Sequence, residues 1–366
     1  MNFVDLFCGI GGLSLGLEDA GHKNVFSTDY WSAAELNNNS KNFLKLDLFH
    51  QNSQEIIINK IKQNKAELIV GGPPCQGFSS FGKRKTEDRR NTLVDIFLKI
   101  ITKSNPKIII IENVRGLTSM QHPNGLKFNE HIKRVLESKQ NKYFVQVIHL
   151  DGLKLGMAQN RKRIFYLGIK KDILNIQENQ QVKLISFIEK FLKTFEKNSK
   201  TLKEVISDLP NIESGDECID NNIKNHTPFI HQDEIIRRIK YVPQGGGLQD
   251  IPDNLLNDHL YRMKNNGYGS GGLVKNTYGR LSWNKPSGTI IAGVRKITCG
   301  RLFHPEANRL LTVRECARLQ TIPDHMEIKG SITEQYTLVG NAVPPLFSKI
   351  LGSLILELKK INLINV

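Results

Sequence analysis

Six short apolar runs alternate with helix-like stretches between Met1 and about Lys170. They read NFVDLF, NVFST, AELIVGG, KIIIIENV, YFVQVIHL and RIFYLGI, and most are rich in β-branched residues. Apolar runs of this length are typical of strands that are buried on both faces of a parallel sheet, with helices covering those faces. The alternation therefore predicts an α/β fold with a doubly wound, mostly parallel sheet.

The texture of the sequence changes twice after this region. From about Ile176 an amphipathic stretch, KLISFIEKFLKTFEKN, leads into irregular, glycine-rich sequence that continues to Leu311. Helical sequence then returns in TVRECARLQ and PLFSKILGSLILELKKI, as it occurs earlier in LSLGLEDAG and TLVDIFLKIITKSN. We expect three parts: an α/β domain over 1–175, a smaller loop-rich domain over 176–311, and a segment, 312–366, that returns to the first domain.

The net charge and the cysteine content limit which binding partners and cellular compartments fit this sequence. The formal net charge of +15 fits a protein that binds a polyanion, nucleic acid before membrane, or a merely solvated basic surface. The longest apolar runs are strand-sized, which predicts no membrane span, and the first residues lack the pattern of a secretory signal. Five widely spaced cysteines favour a reducing, cytoplasmic compartment, and the lack of a CxxC or HxxxH pair argues against a zinc site.

Ligands in open α/β sheets bind beyond the carboxyl ends of the strands, so the residues that follow each run are the first candidates. The first run is followed by a glycine-rich turn that permits close backbone approach of a ligand at a helix N-terminus. The dinucleotide-binding fingerprint would require glycine where this chain has Ser14. A nucleoside-bearing cofactor and a plain tight turn both remain open. The glycines of the turn are Gly9, Gly11 and Gly12.

Two carboxylates follow the next strand candidates. Asp29 lies about one βα unit after the glycine turn, and Asp47 follows the short run FLKL. Both can accept hydrogen bonds from ribose hydroxyls. Tyr30 and Trp31, beside Asp29, either stack on an adenine or belong to the core.

The run AELIVGG ends in two prolines and Cys75. A single cysteine is most often a small buried hydrophobe. This one follows two φ-restricted residues at a ligand-side strand end and precedes basic sequence, and a positive environment favours the nucleophilic thiolate. Small residues after it make the following loop, 77–90, a candidate lid. The basic residues of that loop are Lys83, Arg84, Lys85, Arg89 and Arg90.

Two further motifs place charged groups at strand ends. KIIII is followed by Glu112 and Asn113, and such a carboxylate is either a satisfied structural acid or a working acid whose pKa is raised by burial. In QNRKR, Gln159, Arg161 and Arg163 alternate at the strand period, so we expect all three on one face. The arginines are then donors to an anion or a base edge, or partners of core carboxylates.

Together these motifs resemble those of the bacterial restriction–modification DNA (cytosine-5) methyltransferases, in family order over nearly the whole chain. DLFCGIGG resembles the S-adenosylmethionine loop, GGPPCQGFS the nucleophile motif, ENV the cytosine-holding motif and QNRKR the arginine motif. LTVRECARLQTIPD and GNAVPP resemble the two C-terminal motifs. PPCQGFS and ENV are highly specific as a pair. The resemblance implies an S-adenosylmethionine-dependent methyltransferase fold with a target-recognition domain at 176–311.

The resemblance also implies the reaction and its residues. Methyl transfer from S-adenosylmethionine to C5 of a flipped-out cytosine in a specific duplex DNA sequence would use Cys75 as nucleophile at C6 and Glu112 at N3. Asn113 would hold the site's geometry, and Arg161 and Arg163 would orient the base. The implied cofactor contacts are Phe7, Gly9, Ile10, Gly11, Gly12, Asp29, Tyr30, Asp47, Leu48, Pro74, Asn341, Ala342 and Val343. The implied DNA contacts are Gln76, Ser79, Ser80, Lys83, Arg84, Arg90 and Thr289.

Two positions depart from the family pattern. Asp29 stands where the family more often has glutamate, and Tyr30 where tryptophan is commoner.

The C-terminal motifs also have a structural interpretation. Thr312 and Glu315 have the spacing of a capping box. The two arginines of TVRECARL are expected to tie this helix to the catalytic domain rather than to touch substrate. They are Arg314 and Arg318.

Three other functions fit parts of the sequence. A dinucleotide-dependent oxidoreductase explains the glycine turn and Asp29 but not PPCQGFS together with ENV. A tRNA cytosine-5 methyltransferase shares these motifs, but that branch typically carries a Cys-Phe-Thr tripeptide that this chain lacks. A catalytically inactive DNA-binding module is disfavoured because every chemical position is filled. We expect a cytoplasmic monomer without a metal, accompanied by a restriction endonuclease that acts on the same sequence without a stable complex.

Overall fold

The structure, a computed structural model, describes residues 1–38, 42–74, 92–177, 180–216, 220, 222–266, 276–298 and 300–366. The chain divides into two compact units. The first consists of Met1–Asp151, Lys162–Glu196 and Val343–Val366, and the second of Gly152–Arg161 and Lys197–Ala342. These units divide at residues other than the expected 175/176 and 311/312, so the recognition domain at 176–311 stays a prediction.

A seven-stranded sheet forms the centre of the first unit, in the order β3-β2-β1-β4-β5-β7-β6. Neighbouring strands from β3 to β5 pair in parallel, whereas β7 is antiparallel to both β5 and β6. The predicted α/β fold with a mostly parallel sheet is therefore confirmed. The strands are β1 (Asn2–Leu6), β2 (Lys23–Asp29), β3 (Phe43–Lys45), β4 (Leu68–Gly71), β5 (Ile108–Val114), β6 (Tyr143–Asp151) and β7 (Lys162–Lys170).

Helices cover the sheet because each presents an apolar stripe. In α4, for example, Val94, Phe97 and Ile101 recur at helical spacing and are at most 1% exposed. The strand β5 is buried on both faces, with Ile108 to Ile111 at most 1% exposed. The helices of this unit are α1 (Gly12–Asp19), α2 (Ser32–Asn37), α3 (Gln51–Gln63), α4 (Thr92–Ser104), α5 (Phe128–Leu136), α6 (Gln181–Lys193) and α12 (Pro345–Lys360).

The second unit has short helices joined by irregular segments. Buried arginines bind its backbone where regular structure is sparse. Arg280, 4% exposed, donates to the carbonyl oxygens of Ile239, Val242, His304, Glu306 and Ala307. The helices of this unit are α7 (Leu202–Ile206), α8 (Asp233–Ile239), α9 (Asp258–Asn266), α10 (Val313–Leu319) and α11 (Ile332–Asn341).

The helix α10 begins with the predicted capping box. Thr312 Oγ1 accepts from the Glu315 N–H at 3.2 Å, and the Glu315 carboxylate accepts from the Thr312 N–H. Glu315 also forms a buried ion pair with Arg309, with Nη1 and Oε2 2.8 Å apart. Burial acts to raise the pKa of Glu315, but the charge of Arg309 and its hydrogen bonds outweigh this and lower it.

The expected role of the two arginines of α10 is wrong. Arg314 donates to the carbonyl oxygens of Lys224, Pro323 and Met326, and these partners belong to the second unit. Arg318 binds carboxylates of the same unit, and its partners are Asp208 and Asp324. These hydrogen bonds and ion pairs lie within the second unit, so the two arginines stabilise that unit.

One helical stretch, Ile332–Lys360, is long and apolar enough to cross a membrane by length and composition. It contains α11 and α12, and 72% of its most apolar window is buried inside the protein. This is the pattern of core helices, whose apolar faces pack against protein.

Candidate active site

The carboxyl ends of four adjacent parallel strands meet at one edge of the sheet in the first unit. The register places Leu6 of β1 beside Thr28 of β2 and Gly71 of β4, and Gly71 beside Ile111 of β5. The residues that follow these positions therefore lie at the same edge of the sheet. They are Phe7 to Gly12, Asp29, Gly72 to Pro74, and Glu112.

The turn after β1 has an unusual backbone. Phe7, Gly9 and Gly11 have φ of +62°, +54° and +87°, so three of five consecutive residues are left-handed. Glycine adopts this conformation without penalty, but for Phe7 it costs on the order of 1 kcal/mol. The Phe7 ring packs edge-on against Phe97, with ring centroids 5.7 Å apart. Strain of this kind is typical of functional sites.

Asp29 fixes the glycine turn. Its Oδ2 accepts from the Gly9 N–H and its Oδ1 from the Trp31 N–H, both at 3.0 Å. Burial raises the pKa of Asp29, and hydrogen bonds from the backbone N–H groups of Trp31, Gly9 and Tyr30 oppose this shift. Each carboxylate oxygen has a second lone pair, so the side chain can still accept a hydroxyl.

The other residues of this unit that are candidates for contacting the cofactor differ in exposure. Tyr30 is 66% exposed and so is not a core aromatic, while Trp31 is partly buried at the start of α2. Asp47 Oδ1 accepts from the Phe49 N–H at 2.9 Å, which shapes the loop after β3. Leu48 and Ile10 are buried.

Gly12 packs against the backbone of the GNAVPP motif. A Cβ atom at Gly12 would lie 2.1 Å from the Val343 carbonyl oxygen, so no larger residue fits without displacement. Ser348 of α12 donates its hydroxyl to the Gly12 carbonyl at 3.1 Å. Val343 therefore contacts the glycine turn, whereas Asn341 and Ala342 belong to the second unit.

Glu112 and Arg163 form an ion pair at the end of β5. Arg163 Nε lies 2.9 Å from Glu112 Oε1, and the two side chains are only 14% and 12% exposed. A Cβ atom at Gly72 would lie 2.9 Å from Glu112 Oε2, so the glycine leaves room for the carboxylate. The carboxylate is thus oriented on one side by a guanidinium and packs on the other against the segment that leads to Cys75.

Asn113 connects this strand end with the two prolines. Its side chain is 2% exposed, its Nδ2 donates to the Pro73 carbonyl at 3.4 Å, and its Oδ1 accepts from the Val114 N–H at 2.8 Å. Pro74 is partly buried. The next residue, Cys75, and the DNA-contact candidates that follow it lie outside the described residues. These candidates are Gln76, Ser79, Ser80, Lys83, Arg84 and Arg90.

The expectation that Gln159, Arg161 and Arg163 share one strand face is wrong, because β7 begins at Lys162. Arg161 is 1% exposed and donates to the carbonyl oxygens of Ile290, Gly340 and Ala342, all in the second unit. Gln159 is fully buried and accepts from the Ile290 N–H at 3.0 Å. Of the three side chains, Arg163 is the one paired with Glu112.

Thr289 lies on an exposed stretch of the second unit. Its Oγ1 donates to the Asn160 carbonyl at 2.6 Å, and the residue is exposed. The hydrogen bond restricts its rotamer. A role of Thr289 in binding DNA stays a prediction.

Sequence reasoning missed a buried acid beneath the glycine turn. Asp5 of β1 is 0% exposed, and its Oδ2 accepts from the Ser14 hydroxyl at 2.7 Å. Asn24 in turn donates to the Ser14 hydroxyl at 2.9 Å. Burial raises the pKa of Asp5 to about 7. The signal was present, since Asp5 is the one charged residue in NFVDLF.

One group of metal-ligand side chains occurs in the part of the chain that the structure describes. Asp95, His122 and His131 place ligand atoms within 4.8 Å of one another. However, His122 Nδ1 accepts from the Asn124 backbone N–H at 3.2 Å, so its proton is on Nε2 and is donated to Asp95 at 3.0 Å. Metal-ligating histidines have the opposite pattern and donate their second N–H to an acceptor. This group is therefore a hydrogen-bonded anchor between α4 and α5.

The strand order with reversed β7, the glycine turn after β1 and the polar groups at the neighbouring strand ends define an α/β methyltransferase. Solved structures share this fold. A proposed DNA modification methyltransferase encoded in an E. coli prophage superposes with a TM-score of 0.69 at 21% identity, over 98% of this chain and 99% of that one. The Dnmt2 methyltransferase of S. pombe gives 0.61 at 17% identity, with 99% of each chain covered.

The sequence defines the family. The profile described as C-5 cytosine-specific DNA methylase matches residues 1–357. The Type II methyltransferase M.DdeI of Desulfomicrobium norvegicum is 30% identical, over 100% of this chain and 91% of the relative. M1.HphI of Haemophilus parahaemolyticus is 30% identical, over 98% and 87%. This chain belongs to the C-5 cytosine-specific DNA methylase family, and it is an enzyme.

Proposed function

We propose that this enzyme methylates C5 of a cytosine that is flipped out of a specific duplex DNA sequence, through a covalent bond between Cys75 and C6. The observation that carries the proposal is the position of the Glu112–Arg163 pair against Gly72, three residues before Cys75. A nucleophile and an acid that act on the same ring must be held on neighbouring elements. Here Cys75 follows β4 in the chain, and Glu112 lies in the paired strand β5.

The chemistry requires both groups because C5 of cytosine is a poor nucleophile. The Cys75 thiolate forms a bond to C6, and the ring electrons move towards C5 and N3. Glu112 hydrogen-bonds or protonates N3, which stabilises the charge that develops there. After C5 has gained the methyl group, loss of its proton to a base restores the C5–C6 double bond and expels the thiolate, and a proton held at N3 returns to Glu112.

The glycine turn fits the adenosyl and methionine parts of S-adenosylmethionine. The left-handed residues of the turn present backbone N–H groups at a helix N-terminus, and Gly12 has no room for a side chain. The Asp29 carboxylate can accept a hydroxyl. When S-adenosylmethionine is bound there, it supplies an electrophilic methyl group on its sulfonium. The residues proposed to hold it are Phe7, Gly9, Ile10, Gly11, Gly12, Asp29, Tyr30, Asp47, Leu48, Pro74, Asn341, Ala342 and Val343.

The arginines are proposed to have different roles. Arg163 orients Glu112 and, through it, the target base. Arg161 holds the backbone of the second unit at three carbonyl groups, so we assign it a positioning role. Asn113 holds the prolines before Cys75 through the Pro73 carbonyl. Arg163 and Asn113 therefore act on the geometry of the site through these contacts, whereas Arg161 acts within the second unit.

Duplex DNA is the proposed substrate. The net charge of +15 supports phosphate binding, and a base within a duplex must be extruded before a thiol can reach its C6. The family profile is that of a DNA methylase, which disfavours tRNA, and the relatives are named Type II methyltransferases, which does not fit an oxidoreductase. DNA contacts are proposed for Gln76, Ser79, Ser80, Lys83, Arg84 and Arg90, with the lysine and the arginines on phosphates. Base recognition is proposed for 176–311, with Thr289 near its surface.

The relatives' description as Type II methyltransferases supports a place in a restriction–modification system. We propose a cytoplasmic monomer whose cognate endonuclease acts on the same sequence without forming a stable complex. Modification must then protect that sequence throughout the host chromosome.

Bisulfite sequencing tests the proposal. DNA from cells that express the wild-type chain should show one methylated sequence context, and cells that express Cys75→Ser should show none. Parallel assays in vitro with duplex DNA and tRNA should give methyl incorporation into DNA alone. Incorporation into tRNA alone, or unchanged methylation by Cys75→Ser, would overturn the proposal. Exchanging 176–311 for the matching region of M.DdeI should transfer that relative's target.

A further inference from the structure

The backbone of Gly9 is held at both of its polar groups. Its N–H donates to Asp29 Oδ2 at 3.0 Å, and its carbonyl accepts from Asn38 Nδ2 at 2.9 Å. Both side chains come from the βα unit formed by β2 and α2. Asn38 is the C-cap residue that directly follows α2, and it belongs to no motif of the sequence. The turn is therefore fixed by an acid and an amide, of which only the acid belongs to a recognised motif.

Asn38 is itself held in place. Its Nδ2 also donates to the Ala34 carbonyl at 2.7 Å, one turn back in α2. A Cβ atom at Gly11 would lie 3.4 Å from Asn38 Oδ1, so the amide also packs against the second left-handed glycine. The residue is partly buried. One amide thus connects the end of α2 with two positions of the turn.

We infer that Asn38 is a positioning residue for S-adenosylmethionine, an inference that rests on the proposed function. The peptide between Gly9 and Ile10 is trans and planar, so its N–H points opposite to its carbonyl. By holding the Gly9 carbonyl, Asn38 directs the Ile10 N–H to the opposite side of the turn. That N–H is a donor for the cofactor. Glycine has no side chain to restrict its backbone, so the direction of this N–H depends on the hydrogen bond from Asn38.

The effect should be on binding and not on the chemical step. Without the amide the Gly9–Ile10 peptide can rotate, and the bound state must then order it again. One hydrogen bond of this kind corresponds to about a tenfold change in affinity. Asn38 does not touch the reacting atoms of cytosine, so the rate at saturating cofactor should stay near the wild-type value.

The chain offers a matched control at another helix end. Asn64 is the C-cap residue of α3 as Asn38 is of α2, and its Nδ2 donates to the Lys60 carbonyl at 2.9 Å, four residues back. Asn64→Ala therefore removes the same helix-end bond at a site remote from the glycine turn. Comparing it with Asn38→Ala separates loss of the helix-end bond from loss of the bond to Gly9.

The experiment measures binding of S-adenosylmethionine to the full chain by calorimetry, with KM for the cofactor, kcat and Tm. Asn38→Ala should raise Kd and KM about tenfold, keep kcat within about twofold, and lower Tm no more than Asn64→Ala does. Asn64→Ala should bind as the wild type does. Asn38→Asp keeps the shape but places a carboxylate against the Gly9 carbonyl and near Asp29, so it should bind more weakly than Asn38→Ala.

The outcomes separate the two claims. Wild-type affinity in Asn38→Ala and Asn38→Asp would overturn the role of Asn38 while leaving the proposed function standing. An equal loss in Asn64→Ala would show that helix stability alone is responsible, and would also overturn it. If the wild-type chain itself does not bind S-adenosylmethionine, the proposed function fails and this inference fails with it.

Discussion

Arg163 Nε lies 2.9 Å from Glu112 Oε1, although the two residues are not directly opposite in the sheet. Glu112 pairs with Phe165, and Arg163 pairs with Val114, so the ion pair runs diagonally across β5 and β7. Diagonal neighbours on one face are within reach of long side chains. The antiparallel direction of β7 brings its first residues to the carboxyl end of β5, where the arginine can orient the acid.

Replacing this arginine should impair catalysis more than folding. We expect Arg163→Ala to lower kcat about 100-fold, because Glu112 loses the group that fixes its direction. Arg163→Lys should retain part of the activity, since an ammonium keeps the charge but not the planar geometry. Single-turnover methylation of duplex DNA measures both. Wild-type turnover in Arg163→Ala would show that the acid needs no such partner.

Two residues earlier, Arg161 should give the opposite result. Arg161→Ala leaves three buried carbonyl groups without this donor, and we expect the free energy of unfolding to fall by about 3 kcal/mol or more. Urea unfolding followed by circular dichroism measures the loss. If stability is unchanged while methylation disappears, Arg161 acts on the base and our positioning role is incorrect.

A third prediction concerns the glycine turn. Gly12→Ala would place a Cβ atom 2.1 Å from the Val343 carbonyl oxygen, so the backbone must shift. We expect the free energy of unfolding to fall by about 2 kcal/mol and affinity for S-adenosylmethionine to fall with it. Gly288→Ala is the stability control, because no atom lies within 4 Å of its Cβ position. Equal Tm values for the two variants would contradict the restriction at Gly12.

The buried Asp5 should make stability depend on pH in a particular direction. Its pKa is about 7 in the folded chain against 3.8 for the ordinary group, so the folded state keeps a proton that the unfolded state releases. Its contribution to stability is complete below about pH 4 and is lost as the pH rises towards 7. Asp5→Asn stays neutral, and its stability relative to wild type should therefore increase by a few kcal/mol across this range. Urea unfolding at pH 5 and pH 8 measures the difference, and equal differences at both values would contradict it.

The sheet could be predicted because its signal is local. Strands such as Ile108–Val114 are buried on both faces, so the sequence carries continuous apolar runs that no surface element would have. The strand Phe43–Lys45 has only three residues and is partly exposed, and it was not among the six runs. The reversed direction of β7 has no local signal, because strand direction is set by the chain connection.

The site could be predicted in part for the same reason. The glycine turn, Asp29 and Glu112 stand at strand ends, where position alone suggests a ligand. Arg161 looked equivalent to Arg163 because both fit a strand period, yet its partners are 129 to 181 residues away in the chain. Contacts at such separation leave no pattern in the neighbouring residues. The helix-end amide of Asn38 is missed for this reason too.

The central claim is that Cys75 bonds to C6 of cytosine, and trapping of that bond tests it most directly. Duplex DNA with fluorine at C5 of the target cytosine has no C5 proton to lose after methylation, so the adduct cannot decompose. We predict a stable complex by intact mass, equal to protein, DNA and one methyl group, with the DNA on the peptide that contains Cys75. Cys75→Ser should give none. An active wild-type enzyme that forms no adduct, or an adduct on another residue, would contradict the account.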